Sequence, residues 1–275
     1  MTRSALSRRV VVPAVTGAVV AAAAAVAIGT TVTDHDGGPA TEPVAAVAPD
    51  HHHGPGITSA PGDAELAPFD LVKTSVRRQG DTVVFTEQVR GRAGAITPTP
   101  VGEFGGSSVL SYVWPVSLDA STVGFTEDSG TLALAATSHP DFDDTPLVDE
   151  NGNGRKDDDG GLWHAHWVVL VPDTTRPDGA LKVRDILPGE TPALPATWPG
   201  APIYIDSPSY PTTLTGQTVR IAVPMRALGF PEWFSYDGVT AALKVHADLH
   251  DPLLRVENVF DVASGDLSLP GRFRK

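Results

Sequence analysis

From Phe69 onward the chain is a series of short runs rich in β-branched and aromatic residues, each cut off by Gly, Pro or Asp. Thr82 to Val89 follows the turn pair Gly80-Asp81. Val109 to Val116, Thr131 to Ala136, Trp163 to Val171, Thr218 to Val223, Val239 to Leu249 and Leu253 to Val262 repeat the pattern. No apolar stripe of period 3.6 is sustained here. The 25 prolines of the chain also oppose long helices, because each lacks an N–H and clashes with the preceding turn. Only Met225 to Leu228, after Pro224, reads as a short helical turn. Many short strands with turns between them predict an all-β fold, an antiparallel β-sandwich of the immunoglobulin-like or jelly-roll-like kind with long loops. The chain has no cysteine, so no disulfide framework supports it, and a packed core must, with bound metal as a further source.

The first segment reads differently. Arg3, Arg8 and Arg9 precede an uncharged apolar run from Val10 to Ile28, the layout of a secretory signal, with Ala25-Val-Ala27 as a cleavage site. Residues 1–27 are therefore expected to be a signal peptide and the protein to be secreted or displayed at the cell surface. Left uncleaved, the same run is long enough to anchor the chain in a membrane. Residues 28–67 are rich in Pro, Gly, Ala and His and carry hardly a large apolar side chain, so a disordered leader is expected, with His51-His52-His53 in it. Residues 68–275 are expected to form a single β-sandwich domain. The formal charge of −13 argues against nucleic acid as a partner and for solubility outside the cell.

Between two of the expected strands lies Asp149-Glu-Asn-Gly-Asn-Gly-Arg-Lys-Asp-Asp-Asp159. Asp149, Asn151, Asn153 and Asp157 fall at positions one, three, five and nine of an EF-hand-like calcium loop. The backbone carbonyl of Arg155 supplies a further oxygen, and Gly154 stands where the chain must turn sharply. A hard cation wants six to eight oxygens, and Ca2+ would relieve the repulsion within Asp157-Asp158-Asp159. Position twelve is Gly160 rather than a bidentate Glu, and no amphipathic helix flanks the loop, so it resembles the calcium loops of dockerin or thrombospondin type-three repeats. Asp141, Asp143 and Asp144 lie close upstream and are candidates to complete the shell.

The next segment, Trp163-His-Ala-His-Trp-Val-Val-Leu-Val171, resolves into two faces if it is a strand. Trp163, Ala165 and Trp167 point one way, and His164, His166 and Val168 the other. Two imidazoles two residues apart on one face form a half-site for Zn2+ or Cu2+, with His139, His246 or His250 as the available third ligand. His246 and His250 on one strand would stand roughly 13 Å apart, too far to chelate one ion together.

Asp70 to Val89 together with Thr218 to Leu228 resembles the opening hairpin and a late strand of DOMON and family-nine carbohydrate-binding modules. The resemblance covers about thirty residues by β-patterning. It implies a β-sandwich that binds sugar or haem, and assigns no ligand residue. Tyr112, Trp114, Trp163, Trp167, Trp198, Tyr204, Tyr210, Trp233 and Tyr236 could furnish a sugar-stacking surface or the core. There is no Gly-x-Ser-x-Gly motif, and Glu87, Glu103 and Glu127 form no recognisable acid/base pair, so the sequence gives catalysis no support. The residues thus predict a secreted, calcium-stabilised binding or surface-interaction module of unknown ligand, with carbohydrate as the candidate class. The alternative is a metal-dependent enzyme or redox-metal protein built on His164 and His166. A third converging histidine separates the two.

Overall fold

The computed structural model describes residues 56–275, except 144, 146 and 247–252. The segment expected to be a signal peptide, most of the expected leader with its histidine run, and Asp144, Asp248 and His250 lie outside the described residues. Fourteen β-strands and three short 3-10 turns make up the rest. In chain order the strands are β1 Ile57–Thr58, β2 Leu71–Gln79, β3 Thr82–Val89, β4 Ser108–Pro115, β5 Thr131–Ser138, β6 His164–Pro172 and β7 Leu181–Val183. They continue with β8 Ile205–Asp206, β9 Thr212–Thr215, β10 Thr218–Pro224, β11 Trp233–Tyr236, β12 Val239–Val245, β13 Leu254–Val262 and β14 Gly271–Arg274. The helical turn at Met225–Leu228 is a 3-10 turn closed by Gly229 at φ +64°.

The fold is all-β and antiparallel, but its larger sheet is not one half of a simple sandwich. Its strands run β5-β4-β12-β13-β7-β6, and β6 then pairs back onto β5 over Thr131↔Leu170 to Thr137↔His164, closing a barrel. Register irregularities between β12 and β13, at Thr240/Ala241 and Ala242/Leu243, supply the local bending that closure needs. A second sheet, β1-β2-β3-β10-β9, packs on the outside of this barrel, and β11 pairs with β14 beside it.

Period-two alternation divides the apolar residues into two cores. Ala133 and Ala135 of β5, Val109 and Val113 of β4, Val168 of β6, and Ala241 and Leu243 of β12 belong to the barrel interior, where small side chains suit a narrow ring. The opposite faces of the same strands, with Tyr112, Trp114, Leu134 and Trp167, pack against Val83, Phe85, Val219, Ile221 and Val223 of the second sheet. Phe85 meets the edges of Trp114 and Trp167 at 6.1 and 6.2 Å.

Residues 56–67, expected to belong to the leader, are part of the fold. Ile57 and Thr58 pair with Thr74 and Lys73, and Ser59 donates to the carbonyl of Ala263. The buried Asp70 carboxylate accepts from the Gly62 N–H at 2.9 Å and from the Arg90 guanidinium. The segment is held by these hydrogen bonds together with the packing of Ile57 against the core and the burial of Ala64.

One core position is ionisable. Val83, Phe85, Glu87 and Val89 share the core-facing side of β3 and all are fully buried. Neither Glu87 carboxyl oxygen makes a hydrogen bond of good geometry, and the carboxyl stands across the strand pair from buried Thr74. Burial, with Asp237 and Asp261 nearby, pushes the Glu87 carboxyl well above the usual carboxylate range, and the Val239 N–H partly offsets this.

Candidate metal centre

The β5–β6 hairpin brings three histidines to one end of the barrel. His164 and His166 share the barrel-facing side of β6 with Val168, as the alternation predicts, and stand opposite Thr137 and Ala135 of β5. His139 lies just past the end of β5, two residues beyond Thr137 on the same face, where its N–H donates to the carbonyl of Gly160 at 2.9 Å. One ring nitrogen from each of His139, His164 and His166 lies within 4.8 Å of the other two, and the residues are 2, 3 and 1 % exposed. The rings of His164 and His166 are 4.6 Å apart and nearly perpendicular, and those of His139 and His164 4.7 Å apart and nearly perpendicular. Of the histidines named as a third ligand, the structure brings in His139. His246 stands apart, with Nε2 3.6 Å from Glu257 Oε1.

The outward nitrogens fix how these rings are protonated. His139 Nδ1 lies 2.9 Å from the carbonyl of Phe142, His164 Nδ1 2.9 Å from that of Leu162, and His166 Nδ1 3.1 Å from that of Asp206. A carbonyl only accepts, so each Nδ1 carries the hydrogen, and each neutral ring keeps its lone pair on Nε2. His139 Nε2 and His164 Nε2 are nevertheless only 2.9 Å apart. Two lone pairs at that distance repel unless a cation lies between them, either a proton on one ring or a metal ion coordinated by both. The third ring and the three carbonyl anchors favour metal, since ligating histidines characteristically donate the second ring N–H to a carbonyl or carboxylate that fixes tautomer and orientation.

The residues expected from their spacing to bind calcium occupy the connection between these strands. Asp149 accepts the N–H groups of Gly152 at 2.6 Å and Gly154 at 2.7 Å, with Gly154 at φ +87°. Asn153 Oδ1 accepts from Arg155 N at 2.7 Å, the Asn151 and Asn153 amides donate to Asp158, and Asp157 takes the Arg155 guanidinium at 3.1 Å. That guanidinium holds the Asp157 carboxyl below its ordinary range. The five residues chosen from the spacing, Asp149, Asn151, Asn153, Arg155 and Asp157, therefore share one exposed turn whose N–H groups are cradled by its acids. Asp141 serves elsewhere, accepting from Val101 N, Gly102 N and Ser107 Oγ. Gly160 replaces the expected glutamate for a steric reason. A Cβ there would come within 1.8 Å of the Phe142 carbonyl oxygen, the atom that anchors His139.

The aromatic residues divide the same way. Trp114, Trp167, Tyr112, Tyr204 and Tyr236 are buried in the core, whereas Trp233 is 60 % exposed with the Arg272 guanidinium 5.6 Å over its ring.

Sequence reasoning singled out His164 and His166 as candidate ligands and named His139 among the candidates for the third, and the structure brings these three together. It missed Phe142, Leu162 and Asp206 as anchors, because backbone carbonyls leave no residue-type signal. No protein-family model, curated protein or solved structure matches the chain.

Proposed function

We propose that this chain is an exported metalloprotein whose centre is one transition-metal ion, zinc or copper, held by the Nε2 atoms of His139, His164 and His166 at the end of the barrel. The observation that carries the reading is the approach of two Nε2 lone pairs to 2.9 Å while every Nδ1 of the trio faces a backbone carbonyl. Imidazole suits Zn2+ and Cu2+, and a set of three neutral histidines is the kind that leaves a coordination position for water or substrate. Three uncharged ligands leave the full charge on the ion. Held by these residues, zinc would supply Lewis-acid chemistry of the hydrolytic or hydration kind, and copper would supply electron transfer. Burial of all three rings restricts any further ligand to water or a small molecule.

The test is titration of the untagged, metal-stripped chain with Zn2+ and with Cu2+. One equivalent bound per chain, displaced by chelator, is expected for at least one of them. A chain that binds neither above the level of a His139→Ala variant contradicts the reading.

Calcium in the 149–159 loop belongs to the same proposal as a stabilising ion, supported by the spacing and by the turn at Gly154. Asp149→Ala combined with Asp157→Ala is expected to lower the melting temperature in calcium and hardly change it in chelator. An ion that binds only the folded loop contributes about 2.7 kcal/mol at a hundredfold excess over Kd. Equal melting of the parent chain in calcium and in chelator removes calcium from the account.

A further inference from the structure

The loop between β5 and β6 delivers one side chain to the metal centre that the ligand set does not use. Glu150, second in the loop, is half-buried, whereas the residues that follow it, from Asn151 to Asp158, are exposed. Its side chain is 18 % exposed, and its Oε2 atom is buried without a hydrogen bond, 3.3 Å from His164 Nδ1. It is held there through its backbone, whose N–H donates at 2.6 Å to Oδ2 of Asp159, a fully buried carboxylate at the far end of the same loop. Glu150 and Asp159 thus cross-tie the two ends of the loop beside the histidines. The loop's return is fixed further by His139 N to Gly160 O and Ser138 Oγ to Gly161 O, both at 2.9 Å.

A buried carboxylate oxygen without a hydrogen bond is costly, and a neutral imidazole compensates it poorly. A metal on Nε2 withdraws electron density from the ring, makes Nδ1–H a stronger donor and puts positive charge beside the carboxylate. The pairing with Leu162 already fixes the tautomer of His164. A second acceptor at the same Nδ1 therefore acts mainly through charge, raising the basicity of the ligand and offsetting part of the ion's two positive charges.

We propose that Glu150 is a positioning residue of the metal centre, the outer carboxylate that strengthens His164 as a ligand, and that the 149–159 loop is consequently a strap seated by the transition metal. The inference rests on the three-histidine reading. It adds that the most acidic stretch of the chain serves the centre through one residue, independently of whether calcium fills the turn. It also predicts that emptying the centre leaves Glu150 beside a neutral ring and loosens the strap.

The experiment uses the full chain in four forms: parent, Glu150→Ala, Glu150→Gln and, as a control that removes one exposed carboxylate outside the loop, Asp178→Asn. Each is titrated metal-free with Zn2+ against a chromophoric chelator and loaded separately with Co2+ for its visible spectrum. Glu150→Ala is expected to weaken zinc binding by about 10- to 100-fold at unchanged stoichiometry and to shift the cobalt bands. Glu150→Gln, which keeps the shape and an acceptor oxygen but not the charge, should fall between it and the parent, and Asp178→Asn should match the parent. In the parent, amide exchange over 149–159 should slow on zinc loading, and in Glu150→Ala it should slow less. Parent affinity and parent cobalt spectrum in both Glu150 variants overturn the proposal, as does a lowered metal-free melting temperature with unchanged zinc affinity, which marks a purely structural residue. If Glu150→Ala fails to fold, the glutamine variant decides alone. Failure of the three-histidine reading itself is a different result, a parent chain that binds no zinc.

Discussion

Replacing His166 with alanine is expected to weaken zinc binding more than 100-fold, beyond the range typical for loss of an outer partner, and to abolish the zinc-dependent rise in melting temperature. In the parent chain that rise corresponds to about 4.1 kcal/mol when free zinc exceeds Kd a thousandfold. His139→Ala and His164→Ala should behave alike, because removing any one of three converging nitrogens leaves a bidentate site. His246→Ala should keep parent affinity, since its ring faces Glu257 instead. In chelator the His166 variant should lose about 1–3 kcal/mol, from the contacts of its ring with the Asp206 carbonyl and with Ser207 Oγ. Calorimetry with and without zinc on the same preparations separates the two effects. Retention of one tightly bound zinc by the His166 variant would show that the trio does not form the site.

The second large effect lies in the core. Glu87→Met is expected to raise stability at pH 7 by about 1–3 kcal/mol, because an apolar side chain replaces a buried carboxyl whose oxygens lack hydrogen bonds. Glu87→Gln resolves the electrostatic part. The folded-state pKa of Glu87 is raised, so the group favours folding fully below the unfolded value, about 4.3, where it is protonated in both states. That contribution is lost as pH rises through the folded value, because the unfolded chain gains by ionising. The gap between Glu87→Gln and the parent should therefore be small at pH 4 and widen steadily toward pH 8. Asp261, also raised by burial, remains in both proteins and cancels in the comparison. A gap that is constant or shrinks as pH rises would mean that Glu87 is not the buried acid described here.

The strands were legible because each apolar run carries its own period. Thr82 to Val89 is β3 to the residue, and the runs behind β4, β5, β6, β10 and β13 shift by only one or two at their ends. The two patches that carried the resemblance to DOMON and family-nine modules, far apart in sequence, form β2, β3 and β10, which are neighbours in one sheet. Closure of the other sheet was not legible, because the pairing of β5 with β6 spans a loop of more than twenty residues and alternation does not say which edges meet. Both faces of β5 and β6 are apolar apart from the strand ends and the two histidines of β6. That fits one face on a barrel interior as well as it fits a sandwich. The short strands β7, β8, β9 and β14 have too few residues to show a period. Glu87 could have been found, since it interrupts the alternation of Val83, Phe85 and Val89 on a face that is otherwise apolar.

The site divides along the same line. His164 and His166 declare themselves by their spacing on a strand, whereas His139 is 25 residues away from His164 and joins them only through strand pairing. The loop drew attention through its acids, yet the residue that approaches the centre is Glu150, at a position the calcium pattern leaves unassigned. Gly160 marked the departure from that pattern, and its cause is contact with the Phe142 carbonyl, which no reading of the loop alone supplies.

X-ray absorption at the zinc edge of the loaded, untagged chain tests the central claim most directly, because it reads the ligand atoms themselves. The account predicts one zinc per chain with three imidazole nitrogens at about 2.0–2.1 Å and one oxygen ligand, with the imidazole signal reduced in His139→Ala. A zinc shell made of oxygens without imidazole scattering, or one that His139→Ala leaves unchanged, would contradict it.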